Sequence, residues 1–197
     1  MPLAVVTGPG KLIGTAVTDH LESTGWTVAT DPPHDREIAA LVYDPGLLDG
    51  NRAGGSVDDF LGTVERLRPR LRSRAAGGSR IVVVGSRDGL GWPSRVQSAA
   101  AAAALVAAAR SLALQLGPTG TTVNVIAALP PDTSPLRDTP PPAGTHLREP
   151  TELAPRPVTV EDIAATVAFF LHDRSGYLTG QVLYCCGGAS LLSSLSV

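Results

Sequence analysis

Apolar positions along this chain alternate between short unbroken runs and longer stretches with helical spacing. Leu3-Ala-Val-Val-Thr is a compact apolar run that leads into a glycine-rich turn, Thr7 to Gly14. Ala16, Val17 and Leu21 then recur at helical spacing until Gly25, which predicts a strand, a glycine turn and a helix. Trp26–Thr30 and Ile38–Tyr43 read as two more strands, the second closed by Asp44-Pro45-Gly46. Residues 47–56 read as loop. A helix is expected from Val57 to about Ala75, kinked or divided at Pro69, because proline lacks the amide and clashes with the preceding turn.

The β-branched run after Arg80 is the clearest buried strand, and Val96–Leu116 is a long helix dominated by alanine. Thr121–Ala128 predicts another strand. Prolines crowd 130–157 and break all periodicity, so that segment is read as an irregular loop. Val160–Leu171 returns to helix, with acidic residues at its entry, and Gly180–Cys186 is the last strand. Strands alternating with helices predict a Rossmann-like, doubly wound parallel sheet in a three-layer α/β/α domain spanning 1–197.

Composition narrows the classes of function. A 197-residue chain that is 43% hydrophobic supports one well-buried core. A net charge of −2 offers no bulk attraction to nucleic acid or to an anionic membrane. The amino terminus has no basic leader and no unbroken apolar run approaches about 20 residues, so a cytoplasmic protein without a membrane span is expected. Cys185 and Cys186 are adjacent; they are read as small apolar strand residues, since a bridge between neighbours is strained. His20, His34, His146 and His172 have no metal-ligand spacing. Arginines 66, 68, 70, 72, 74 and 80 are either a solvated face or a cluster able to hold a phosphate of CoA or a carrier protein.

Four landmarks together resemble the short-chain dehydrogenase/reductase family. Thr7-Gly8-Pro9-Gly10-Lys11-Leu12-Ile13-Gly14 stands where that family has TGxxxGxG, and Tyr43-Asp44-Pro45-Gly46 stands where it has NNAG. Gly78 through Ser86 matches the strand that delivers its catalytic serine. Arg110–Leu116, with Val123-Asn124-Val125-Ile126-Ala127 and the segment Tyr177–Tyr184 before Gly187-Gly188, matches its second half closely.

The departures from that pattern carry as much information. Counting back from Arg110, the family's tyrosine falls on Ser98 and its lysine, four residues on, falls on Ala102. The resemblance implies a tyrosine that trades protons with the substrate oxygen and a lysine that lowers its pKa and holds the ribose. Serine is a far weaker acid and alanine carries no charge. Only Ser86 keeps its place, as a relic hydroxyl or as a locally bonded strand end. Asn51 and Asn124 do not replace the family's assisting asparagine.

The implied cofactor turn is altered as well. Gly8, Gly10 and Gly14 remain, but Leu12 replaces the glycine over which backbone meets pyrophosphate. Asp31 stands where an NAD-preferring member holds its ribose. Only six residues separate Asp31 from Ile38, where an ordinary member has on the order of 40 more. The family's third strand and its flanking helix are therefore expected to be missing.

The resemblance thus implies a non-catalytic subunit that binds no cofactor itself. It would pair, as a heterodimer or heterotetramer, with an active full-length paralogue carrying NAD or NADP and acting on hydroxyacyl or ketoacyl thioesters. The expected contacts are Ala99, Ala103, Val106 and Arg110 on the alanine-rich helix and Val64, Leu67 and Leu71 on the preceding one. Val182, Tyr184 and the 163–171 helix form a second contact, and the tail from Gly187 reaches the partner's active site. Two other readings stay open: a stand-alone regulatory module that binds a small ligand, and an atypical active enzyme using Ser86 and Ser98.

Overall fold

The structure, a computed structural model, describes residues 1–8, 11–49, 57–92, 94–137 and 152–191. Six strands, β1 (Leu3–Val6), β2 (Thr27–Ala29), β3 (Ala40–Tyr43), β4 (Arg80–Ser86), β5 (Thr122–Ala128) and β6 (Val182–Cys185), form one sheet in the order β2-β1-β3-β4-β5-β6. Every pairing is parallel. Four helices connect them: α1 (Leu12–Ser23), α2 (Val57–Leu67), α3 (Val96–Leu116) and α4 (Val160–Leu171).

Alternation along each strand sorts the core into two layers. Ala4, Val6, Val42, Val82, Val84 and Ile126 face α1 and α4, while Val5, Leu41, Ile81, Val83, Val123 and Val125 face α2 and α3. A sheet buried on both faces is why β4 is apolar at nearly every position. The expected three-layer α/β/α architecture is what the chain adopts. β2 is the sheet edge, and β2 connects to β3 through residues 30–39 with no intervening strand or helix.

Some boundaries shift. The helix expected to reach Ala75 ends at Leu67, and 3-10 turns follow at Arg68–Arg70 and Arg74–Ala76. Pro69, in the first of these turns, removes the amide that would extend α2. Helix α4 begins on a reciprocal cap: the Thr159 hydroxyl accepts from the Asp162 amide, and the Asp162 carboxylate accepts from the Thr159 amide.

The alanine-rich helix requires a correction. Val96–Thr119 is, among the described residues, long and apolar enough to cross a membrane by length and composition alone. Run length alone does not reveal this, because the longest unbroken apolar run is only Ala99–Ala109 and Arg110 lies inside the helix. Ala102, Leu105, Ala109, Leu112, Ala113 and Leu116 pack that helix against the sheet.

Candidate functional site

The carboxyl ends of β1, β3 and β4 meet the amino ends of α1 and α3, the crevice where doubly wound sheets bind ligands. At its centre lies the turn after β1. Gly8 takes a φ of +67°, and a Cβ there would stand 2.9 Å from the Lys11 side chain and 3.2 Å from the Asp44 carbonyl, so only glycine fits. Lys11, at the start of α1, lies across Gly8 and Gly46 and donates from Nζ to the Asp44 carbonyl at 3.4 Å. Gly14 is buried in the first turn of α1, and Leu12 is half-buried. Gly10 and Asn51 lie outside the described residues.

Two carboxylates converge on the same helix start. Asp44 is 3% exposed; its Oδ1 accepts from the Gly46 amide at 2.8 Å, while its Oδ2 is buried without a partner. Burial pushes its carboxyl up to about 6, and Asp49 pushes in the same direction. The Gly46 amide, the Lys11 ammonium and the Gly14 amide oppose this. Burial also raises Asp49, against the Leu12 amide and Lys11, and Asp49 Oδ1 is likewise buried without a partner. Helix amides that would meet a pyrophosphate thus already face carboxylates from the β3 loop. With Leu12 in place of glycine, these residues do not fit a dinucleotide. Asp31 is exposed beyond the edge strand β2.

Sequence reasoning passed over Asp44 and Asp49. The signal was present, since an acid stands at Asp44 in the place of the second asparagine of NNAG.

On the other side of the crevice, Ser86 ends β4, and its hydroxyl accepts from the Asp88 amide at 3.1 Å to start a 3-10 turn, Arg87–Leu90. Arg95 pairs with Asp88 at 2.6 Å, and the guanidinium groups of Arg87 and Arg95 lie 5.8 and 5.6 Å from the Trp92 ring centre. This packed connection also escaped the sequence reading. The turn rests on α3: a Cβ at Gly89 would be 3.4 Å from the Ala102 Cβ. Ala102 is 1% exposed, so a lysine there would have to displace the turn. Ser98 is half-buried. Burial and the nearby carboxylates of Asp59 and Asp44 push the Tyr43 phenol up to about 12, far from a proton-transfer group poised near neutrality. Replacing Ser86 with alanine should cost about 1 kcal/mol of stability, the value of one local cap, as measured by urea unfolding.

The expected contact residues divide. Ala103 and Arg110 are exposed, and Ala99 and Val106 are half-buried on the outer side of α3. Val64 and Leu67 are not available: each is 1% exposed in this chain's own core, because the apolar stripe of α2 faces the sheet. Leu71 packs against that core and bridges to Ile38. The surface of α2 is formed instead by Leu61, Gly62 and Glu65. Val182 is half-buried and Tyr184 exposed on the edge strand β6. Residues 192–197 of the tail, His146 and residues 138–151 of the proline-rich segment lie outside the described residues.

Three of the arginines are held by backbone carbonyls, although Arg74 and Arg80 line one shallow cleft and Arg72 and Arg80 another. Arg70 donates to the carbonyls of Pro32 and Arg36, Arg74 to that of Gly117 and Arg80 to that of Ser79. Among the described residues no three His, Cys, Asp or Glu side chains could hold a metal, and Cys185 and Cys186 are free thiols.

A doubly wound parallel sheet with a glycine turn after its first strand defines a Rossmann-like α/β protein. The sequence model of the family described as enoyl-(acyl carrier protein) reductase matches residues 57–190, and the chain belongs to the short-chain dehydrogenase/reductase family. It is 40% identical over 117 residues to the (2S)-[(R)-hydroxy(phenyl)methyl]succinyl-CoA dehydrogenase subunit BbsD of Thauera aromatica, covering 58% of this chain and 46% of that one. Subunit BbsC of the same dehydrogenase is 35% identical over 124 residues, 63% of this chain and 48% of that one. The chain therefore spans about half the length of these relatives. The 3-oxoacyl-[acyl-carrier-protein] reductase FabG of Haemophilus influenzae is 36% identical over 243 residues, covering 96% of this chain and 98% of that one. Among solved structures, the angucycline C-6 ketoreductase LanV with bound NADP shares the fold at a TM-score of 0.74 and 20% identity, over 96% of each chain.

Proposed function

We propose that this chain is a non-catalytic subunit that assembles with an active, full-length short-chain dehydrogenase/reductase. The partner carries NAD or NADP and the proton-transfer residues, and this chain supplies helix and strand surface in the cytoplasm. One observation carries the reading. The positions of the family's tyrosine and lysine are Ser98 and Ala102, and the turn at Gly89 packs directly on Ala102. No side chain there is able to protonate a substrate oxygen.

Two further facts support it. The outer face of α3 carries exposed alanines at positions 100, 103, 104 and 107 together with Val96, 67% exposed, and Leu114, 83% exposed, small side chains that let a second helix approach closely. BbsD and BbsC, both similar to this chain, are named as two subunits of one acyl-CoA dehydrogenase. By that analogy the assembly works on hydroxyacyl or ketoacyl thioesters, on CoA or a carrier protein. The test is co-expression of the tagged chain with a full-length family member from the same organism that keeps the tyrosine and lysine. A stable dimer or tetramer containing both chains is expected, and a chain that stays monomeric and never retains the paralogue overturns the proposal.

A further inference from the structure

The amino end of α1 is an anion site that the chain has filled from within. The first amides of a helix have no partner inside the helix, and their partial positive charge attracts anions. At α1 the residue before the helix, Lys11, makes no side-chain cap, and the first turn holds no acid. The Leu12 and Gly14 amides instead favour the charged forms of Asp49 and Asp44, two carboxylates from the loop after β3, against the burial that raises the pKa of both. Each keeps one buried oxygen without a hydrogen-bond partner. Lys11 holds this loop to the turn, through the Asp44 carbonyl and across Gly8 and Gly46.

We infer that Asp44 and Asp49, clamped by Lys11, are the residues that exclude a pyrophosphate-bearing ligand from this chain. The inference deepens the proposed function and rests on its reading that the partner carries the dinucleotide. The physical reason is direct. A pyrophosphate arriving at this helix start would meet two carboxylates where it needs donors. Like charges a few Å apart repel strongly where water is scarce. Leu12 is a second and separate obstacle, because it blocks the close backbone approach of a bulkier dinucleotide. The two obstacles predict different results for a small and a large ligand.

The experiment is calorimetric titration of the full chain at pH 7.5 with inorganic pyrophosphate and, separately, with NADH. The chain itself should show no saturable binding of either up to millimolar concentration. Asp44→Asn with Asp49→Asn should bind pyrophosphate at least ten-fold more tightly than the parent, and Leu12→Gly added to that pair should admit NADH. Asp49 is only half-buried, so Asp49→Asn alone keeps the fold and should gain about three-fold for pyrophosphate, confirmed folded by circular dichroism. The inference is overturned if the parent binds pyrophosphate as tightly as the asparagine variants. It is also overturned if the folded asparagine variants gain nothing, or if Leu12→Gly alone admits NADH. Assembly with the paralogue is scored separately by co-purification, so loss of this inference leaves the subunit reading to its own test.

Discussion

Replacing Ala103 by arginine should abolish recovery of the heteromer while leaving the isolated chain folded. Val96, Ala100, Ala103 and Ala107 recur along the exposed side of α3, one turn before the exposed Arg110, and at 1.5 Å per residue they trace an apolar stripe about 17 Å long. Alanine lets a second helix approach to about 8 Å between axes. A guanidinium at the middle of that stripe must either be stripped of water or hold the helices apart. A loss of at least 100-fold in affinity is expected, about 3 kcal/mol. Arginine is a good helix former and Ala103 is exposed, so thermal unfolding of the isolated chain should move little. Pull-down of the paralogue by the variant at undiminished strength would remove α3 from the interface. Glu65→Ala, at the rim on α2, should change the same affinity by less than about three-fold.

Asp44→Asn should stabilise the chain at neutral pH and flatten its acid dependence. The folded carboxyl titrates at about 6 against an ordinary 3.8, with burial as the main cause. Between those values the folded chain holds a proton that the unfolded chain has released. Stability is therefore full below about pH 4 and falls as pH rises to 6, by about 3 kcal/mol in all. Asp49 is shifted in the same direction and adds to the slope. Asp162 runs the other way: its hydrogen bond from Arg156 and the Thr159 amide hold it well below the carboxylate range, so its contribution is lost only in stronger acid. Asparagine keeps an oxygen for the Gly46 amide and carries no charge. Urea unfolding at pH 7.5 should show Asp44→Asn more stable by about 2 kcal/mol, with the difference vanishing at pH 4. A parent whose stability climbs from pH 4 to 6, or a variant less stable at pH 7.5, contradicts this assignment. Asp44 thus weakens the fold at neutral pH while closing the start of α1.

The fold was legible because each layer writes its own period into the sequence. The unbroken run Ile81–Val84 announced a strand covered on both faces, and Pro69 marked where α2 had to stop. The short passage from Asp31 to Ile38 left no room for a further strand and helix, and β2 is accordingly the sheet edge. Which side of a helix faces inward was harder to read. Val64 and Leu67 were assigned to a contact surface because they are apolar and on the right helix, yet the sheet claims them first. On α3 the difficulty is alanine itself, which marks neither side: Ala102 is buried and Ala103, its neighbour, is exposed.

The candidate site was legible by subtraction. Ser98, Ala102 and Leu12 stood out only as departures from a family pattern. The groups that replace the lost function were not visible in that way. Asp44 and Asp49 reach the start of α1 only once β3 lies beside β1, and Arg95 finds Asp88 and Trp92 only when the connection after β4 folds back on itself. The first pairing arises from tertiary proximity, which no local spacing encodes; the second joins residues at most seven apart but depends on a tight 3-10 turn that hydrophobic periodicity does not mark.

In the proposed assembly this polypeptide brings surface and no proton-transfer chemistry to a dehydrogenase. The most direct test is spectrophotometric turnover of a ketoacyl-CoA thioester with NADH and NADPH, using the purified chain, the purified paralogue and the two together. No rate above the uncatalysed background is expected for the chain alone, and activity is expected whenever the paralogue is assembled with it. Sustained reduction by the chain alone, at rates scaling with its concentration and surviving removal of any companion, would contradict the proposal.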